Sequence, residues 1–191
     1  RIDKAIADGE FQTNPILNKA FTHTKENDSN LHLFGLLSDG GVHSHINHML
    51  SLLSTAKEQG VKNVYLHLFL DGRDVAPRSA LGYIDTVNEA IAKLGYGEIA
   101  TVSGRFYAMD RDKRWERVEK AYNAIANGVG ETAVSAKEAV EASYAAGKTD
   151  EFVVPTVITK DGQPVAKLSE NDAVIFFNFR PDRAIQLSNA F

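Results

Sequence analysis

Leu31-His-Leu-Phe-Gly-Leu-Leu37, followed at once by Ser38-Asp-Gly-Gly-Val-His43-Ser-His45, is the stretch whose reading decides the fold. The first half is a near-continuous apolar run, the pattern of a strand buried on both faces. The second half is a charged, glycine-bearing loop. A helix is predicted next over 44–59, with Ile46, Met49, Leu50, Leu53 and Ala56 recurring on one face and Gly60 as its stop. Strand, loop and amphipathic helix in this order form the repeating unit of an open α/β sheet. In such sheets ligands sit beyond the carboxyl ends of the strands.

The unit recurs along the chain. A strand over 63–70 runs into Asp71-Gly-Arg73-Asp74, and a helix over 79–94 follows with Leu81, Ile84, Val87 and Ile91 inward. A strand over 98–102 runs into Ser103-Gly-Arg105-Phe-Tyr-Ala-Met-Asp-Arg111. The next helix, over 114–126, is expected to turn Trp115, Val118, Tyr122 and Ile125 inward. Ser135 caps a short helix to Ala145. Upstream, residues 1–8 read as a short helix, and Asn14-Pro15 opens one to about Glu26. Downstream, 152–159 and 164–168 flank Asp161-Gly162, a hairpin signal. A last strand over 173–178 leads into Asn178-Phe-Arg180-Pro-Asp-Arg183, where Pro181 or Asp182 opens a helix. The expected fold is α/β: a mainly parallel, mixed sheet with helices on both faces and a β-hairpin near the C-terminus. Without a repeat or linker, residues 1–191 read as one domain.

Composition narrows the function. The 191 residues are 43% hydrophobic and 24% charged, with a formal net charge of -4. No basic excess favours nucleic acid as a partner. The chain has no cysteine, which removes disulfides and thiolate-bound zinc and fits a reducing cytoplasm. No apolar run is long enough to predict a membrane span. The first residue is not Met, and the chain is expected to be a piece of something longer.

Against this acidic background the strand-end loops gather Arg73, Arg105, Arg111, Arg180 and Arg183, with His43 and Asp74. Arginine forks match carboxylate and phosphate oxygens bidentately. His43 lies at a predicted helix start, where free N–H groups favour anions. Asp74 beside Arg73 is placed to take and return a hydroxyl proton. The site therefore reads as a grip for a small, multiply charged anion. A metal-dependent hydrolase built on His43, His45, His48 and Asp39 is a weaker alternative, and a non-catalytic anion-binding module is another. Arg78, Arg114 and Arg117 are assigned to solvated helix surfaces, and His67 to a satisfied position within its strand.

The loops taken together carry a resemblance. Ala5-Ile-Ala-Asp-Gly-Glu-Phe11, Leu36-Leu-Ser-Asp-Gly-Gly-Val-His-Ser-His45, Leu70-Asp-Gly-Arg-Asp74, Ser103-Gly-Arg-Phe-Tyr-Ala-Met-Asp-Arg-Asp112, Arg114-Trp-Glu-Arg117 and Phe177-Asn-Phe-Arg-Pro-Asp-Arg183 resemble the cofactor-independent (2,3-bisphosphoglycerate-independent) phosphoglycerate mutase family, in family order. The resemblance implies interconversion of 3-phosphoglycerate and 2-phosphoglycerate through a phosphoserine. It implies two domains, one similar to alkaline phosphatase that holds two Mn²⁺ and the serine, and an inserted one that binds glycerate. This chain resembles the inserted domain, cut short at its C-terminus and inactive alone, with no metal or other cofactor of its own. By the same resemblance Asp74 matches the acid/base, Arg73, Arg105 and Arg111 match the clamp on carboxylate and glycerate, and His43, Arg180 and Arg183 match the groups around the phosphoryl oxygens.

Overall fold

The computed structural model of the chain describes residues 15–37, 46–73, 75–109, 115–176 and 186–188. Within them the elements are α1 Pro15–Asn27, β1 Leu31–Leu37, α2 Ile46–Glu58, β2 Val64–Leu70, α3 Ala80–Leu94, β3 Glu98–Gly104, the short α4 Arg105–Ala108, α5 Trp115–Asn127, β4 Glu131–Ala133, α6 Ala136–Ala145, a 3₁₀ turn Asp150–Phe152, β5 Thr156–Lys160, β6 Gln163–Pro164, β7 Ala173–Phe176 and β8 Gln186–Ser188. The strands form one mixed sheet in the order β4-β5-β3-β2-β1-β7-β8, with β6 paired to β5.

The centre is parallel: β1 pairs with β2 and β7, and β2 with β3. All seven residues of β1 are buried, as expected of a strand covered on both faces. Alternate residues face opposite ways. Leu31, Leu33, Leu37, Leu66 and Leu68 join the larger core with residues of α1, α2, α3 and α6. Phe34, Leu36, Phe69 and Val174 form a smaller core with Ile125 of α5. Helices therefore cover both faces.

Of the antiparallel pairings, the one between β3 and β5 sets the geometry of the site. β5 runs antiparallel to β3, with Val102 opposite Thr156. The chain entering β5 thus arrives at the carboxyl end of β3, and Gly104 N–H donates to Val153 O at 2.8 Å.

Several expectations are corrected. Trp115 and Tyr122 do not enter the core: they are 77% and 37% exposed. α5 instead buries Ala121, Ala124, Ile125 and Ala126, so small side chains form its close approach to the sheet and the large rings turn outward. The hairpin at Asp161-Gly162 forms, but its arms are only β5 and β6, shorter than expected. β4, parallel to β5, had no sequence signal beyond three residues. Near the C-terminus a strand, β8, pairs antiparallel with β7 at positions assigned to a helix. The helix start at Pro181 or Asp182 and the helix over 1–8 lie outside the described residues.

A polar chain crosses the smaller-core face from the amino end of β1 to the middle of β2 and β3. Asp172 Oδ2 and His32 Nε2 are 2.9 Å apart, His32 Nδ1 and His67 Nε2 2.8 Å, and His67 Nδ1 and Thr101 Oγ1 2.9 Å. The carboxylate of Asp172 also accepts from the Asn30 and Ser169 amides, each at 2.9 Å. One tautomer of each ring closes the chain: His32 Nε2–H donates to Asp172, His67 Nε2–H donates to His32, and the Thr101 hydroxyl donates to His67. His67 is therefore a satisfied buried histidine, as its place in the strand implied.

Burial, and then the neighbouring His32, hold His67 well below the ordinary imidazole value. Burial opposes ionisation of Asp172, yet the bonds from His32, Asn30 and Ser169 outweigh it and hold this carboxyl below its usual range. The two windows separate. The unfolded chain protonates His67 as pH falls below about 6.5 while the folded chain refuses the proton, so stability is lost from there downward. Asp172 loses its contribution only below about pH 4. Urea unfolding at about pH 7.5 and about pH 5.5 should show a lower midpoint in acid. The drop should shrink in His67→Gln, and an equal drop in both proteins would refute the assignment.

Candidate functional site

The carboxyl ends of β2 and β3 lie side by side because Leu70 and Gly104 are partners in the ladder. The residues that follow, Asp71 and Arg105, leave the sheet together. Asp71 is buried and Arg105 is only 6% exposed. Arg105 Nη1 donates to Asp71 Oδ1 at 2.7 Å. The same oxygen accepts from the Arg73 amide at 3.1 Å, closing an Asx-type turn that brings Arg73 to the surface. A single carboxylate oxygen thus ties the β2 loop to the β3 loop. Breaking such a buried pair by removing one partner costs about 3–5 kcal/mol, chiefly through the charge left behind.

Both loops rest on the 3₁₀ turn Asp150–Phe152. Gly72 adopts φ +64°, and a Cβ there would lie 2.9 Å from the Glu151 amide nitrogen and 3.0 Å from Asp150 Cβ. At Gly104 a Cβ would lie 2.2 Å from Glu151 O and 2.6 Å from its carbonyl carbon. Each position is glycine because another backbone occupies the side-chain space. The turn is itself anchored through Asp150. Its Oδ2 accepts from the Ser79 and Ala80 amides, each at 2.9 Å, and Tyr144 donates to Oδ1. Ser79, the residue expected to begin this helix, directs its hydroxyl to Ala76 O at 2.7 Å, so the capping carboxylate comes from 71 positions away. Burial raises the Asp150 carboxyl above its usual range despite these bonds, and burial first, then Asp150, raises the Tyr144 phenol.

An aromatic and cationic layer continues from Arg105. Phe106 meets Tyr107 and Phe152 with ring centroids 5.1 and 5.2 Å away. Arg117 lies over Phe106 at 3.8 Å. Arg117 is therefore a stacked, half-buried group and not the solvated one expected. Arg78 is exposed with its guanidinium over Tyr144 at 5.2 Å.

Of the candidate residues, the structure brings Arg73 and Arg105 together through Asp71. Asp74, His43, Arg111, Arg180 and Arg183 lie outside the described residues, as do Asp39, His45 and Arg114. His48 is buried within α2. Among the described residues no group of three or more His, Asp or Glu is placed to hold a metal ion, and no helix is long and apolar enough to cross a membrane. Sequence reasoning missed Asp71 and Asp150. Asp71 was visible as a carboxylate directly after an apolar strand, but Asp150 carried no local signal.

Comparison with known proteins follows this geometry. Residues 2–191 match the family model described as BPG-independent PGAM N-terminus. The chain is 74% identical over 191 residues to the 2,3-bisphosphoglycerate-independent phosphoglycerate mutase of Listeria monocytogenes serotype 4b, covering 100% of this chain and 38% of that protein. It is 62% identical over 190 residues to the protein of the same name from Clostridium novyi, covering 37% of it. A crystal structure of Leishmania mexicana phosphoglycerate mutase at low cobalt concentration superposes with a TM-score of 0.89 at 34% identity, over 96% of this chain and 35% of that one. The chain therefore spans under two fifths of the length of these relatives.

The contact at Gly104 yields a direct expectation. Its φ of -66° suits any residue, so only the Glu151 backbone opposes a side chain. Gly104→Ala should cost about 1–3 kcal/mol of stability, because backbone cannot swing aside as a side-chain tip would. Urea unfolding measures this, and a variant of native stability would show that the turn yields freely.

Proposed function

The chain belongs to the BPG-independent phosphoglycerate mutase family, and from that membership we propose that it is the substrate-binding part of an enzyme interconverting 3-phosphoglycerate and 2-phosphoglycerate. The observation that carries this reading is that Asp71 holds both the backbone amide of Arg73 and the guanidinium of Arg105, at the edge where open α/β sheets bind ligands.

In this reading Arg73, Arg105 and Arg111 hold the carboxylate and glycerate oxygens. His43, Arg180 and Arg183 surround the phosphoryl oxygens. Asp74 accepts the proton of the attacking glycerate hydroxyl and returns one to the hydroxyl that is released. Phosphoryl transfer asks little covalent work of these groups beyond position and charge. A glycerate freed of its phosphoryl group must turn without escaping, so closure of the remaining polypeptide over this edge belongs to the cycle.

The phosphorylated serine, and the two Mn²⁺ that the resemblance implies, are assigned to an alkaline-phosphatase-like domain in the rest of the polypeptide. The relatives' greater length supports a further domain there. The single sheet supports reading 1–191 as one α/β domain. Alone, the chain should bind phosphoglycerates weakly and turn over none. The lack of cysteine supports a cytoplasmic setting.

The test uses the full-length protein carrying this chain. Arg73→Ala should weaken binding of 3-phosphoglycerate at least about tenfold by calorimetry, as expected for the loss of hydrogen bonds to a charged group. Unchanged affinity would remove Arg73 from the clamp. Asp74→Asn should bind substrate and lose turnover, and retained turnover would remove its acid/base role. A full-length protein that binds the ligand without mutase turnover would favour a non-catalytic binding module.

A further inference from the structure

We propose that Asp71 is a positioning residue of the site, acting through Arg105 and through the backbone of Arg73. This inference rests on the function proposed above. The carboxylate does not serve as an anion ligand, because its own charge would repel the substrate. It sets the two groups that do. Arg105 is buried at the start of α4, so its guanidinium cannot search for a ligand as a surface arginine would. The 2.7 Å bond to Asp71 Oδ1 fixes where its remaining N–H groups point. The 3.1 Å bond from the Arg73 amide to the same oxygen fixes the turn that carries Arg73 and precedes Asp74.

Neither loop can drift independently. Gly72 and Gly104 both pack against Glu151 too closely to admit a side chain. Asp71 therefore sits where three backbone segments converge, and a change there moves two substrate-facing groups at once. Its charge also offsets that of Arg105 inside the protein. Arg73, being exposed, is left as the loop's uncompensated positive group among the described residues of that turn.

The experiment measures steady-state kinetics of the full-length enzyme with 3-phosphoglycerate, at concentrations of folded protein fixed by active-site titration. Asp71→Asn keeps an oxygen for the Arg73 amide but removes the charge facing Arg105. It should raise KM at least about tenfold, the size of one misdirected charge-assisted hydrogen bond. Asp71→Ala also frees the Arg73 turn and should lower kcat as well, with a combined loss on the order of a hundredfold in kcat/KM. A purely structural role would reduce only the amount of active enzyme, leaving KM at the native value, and that result would overturn the proposal. Should these variants fail to fold, Asp71→Glu keeps the buried charge pair while displacing the guanidinium by one methylene. It should raise KM at least about tenfold, and native KM in it would overturn the proposal. The unmodified enzyme is the separate control: absence of mutase turnover there would reject the proposed function and not the role of Asp71.

Discussion

The backbone of Glu151 lies where a side chain at Gly104 would have to be, and the site depends on that contact. The sheet is parallel at its centre, so β2 and β3 end together and their loops emerge on one edge. Parallel strands alone would leave those loops tethered only to the helices that follow. The antiparallel entry of β5 brings a third segment to the same edge. Gly104 and Gly72 let it approach to backbone contact, and Asp150 bolts it to the start of α3. The loops thereby gain a floor made of main chain, which is stiffer than any floor of side chains.

The sheet handles buried polarity differently along its strands. From the amino end of β1 to the middle of β2 and β3, Asp172, His32, His67 and Thr101 form a chain in which each donor has an acceptor. A network fully satisfied in this way specifies strand alignment across β1, β2 and β3, since a slip of one residue would turn the histidines to the other face. At the carboxyl side, the polar groups are full charges, Asp71 and Arg105, held as a pair. Desolvation makes such a pair a weak source of stability but an exacting one in geometry. The histidine chain sets register, and the Asp71–Arg105 pair sets aim.

Much of this was legible in the sequence where local physics decides. The near-continuous apolar run of β1, the apolar faces of α2 and α3, the Ser135 cap and the Asp161-Gly162 turn were each readable from a few neighbouring residues. The Ser135 hydroxyl does accept from the Glu138 amide, at 3.1 Å. What could not be read depends on distant partners. Trp115 and Tyr122 have the spacing of a buried face, yet spacing does not say which face meets the sheet, and the alanines allow the closer approach. Asp150 caps a helix that begins 70 residues earlier, at Ala80. Arg105 looked like an open clamp because nothing nearby in sequence announced that Asp71 would meet it. The strand at 186–188 exists through pairing with β7, a tertiary gain that outweighs local helix preference.

Arg73 and Arg105 play different electrostatic parts at this edge of a chain whose net charge is -4. Arg105 is fixed and largely neutralised by its partner, so it contributes direction more than field. Arg73 is exposed, its charge screened by water until something covers it. Its pull on an anion grows when solvent is excluded, because the interaction scales inversely with the local dielectric. A site built in this way holds ligand weakly while open and firmly once covered. The proposed function asks this of the surface: to admit a charged substrate, keep its dephosphorylated form from leaving, and then let the product go.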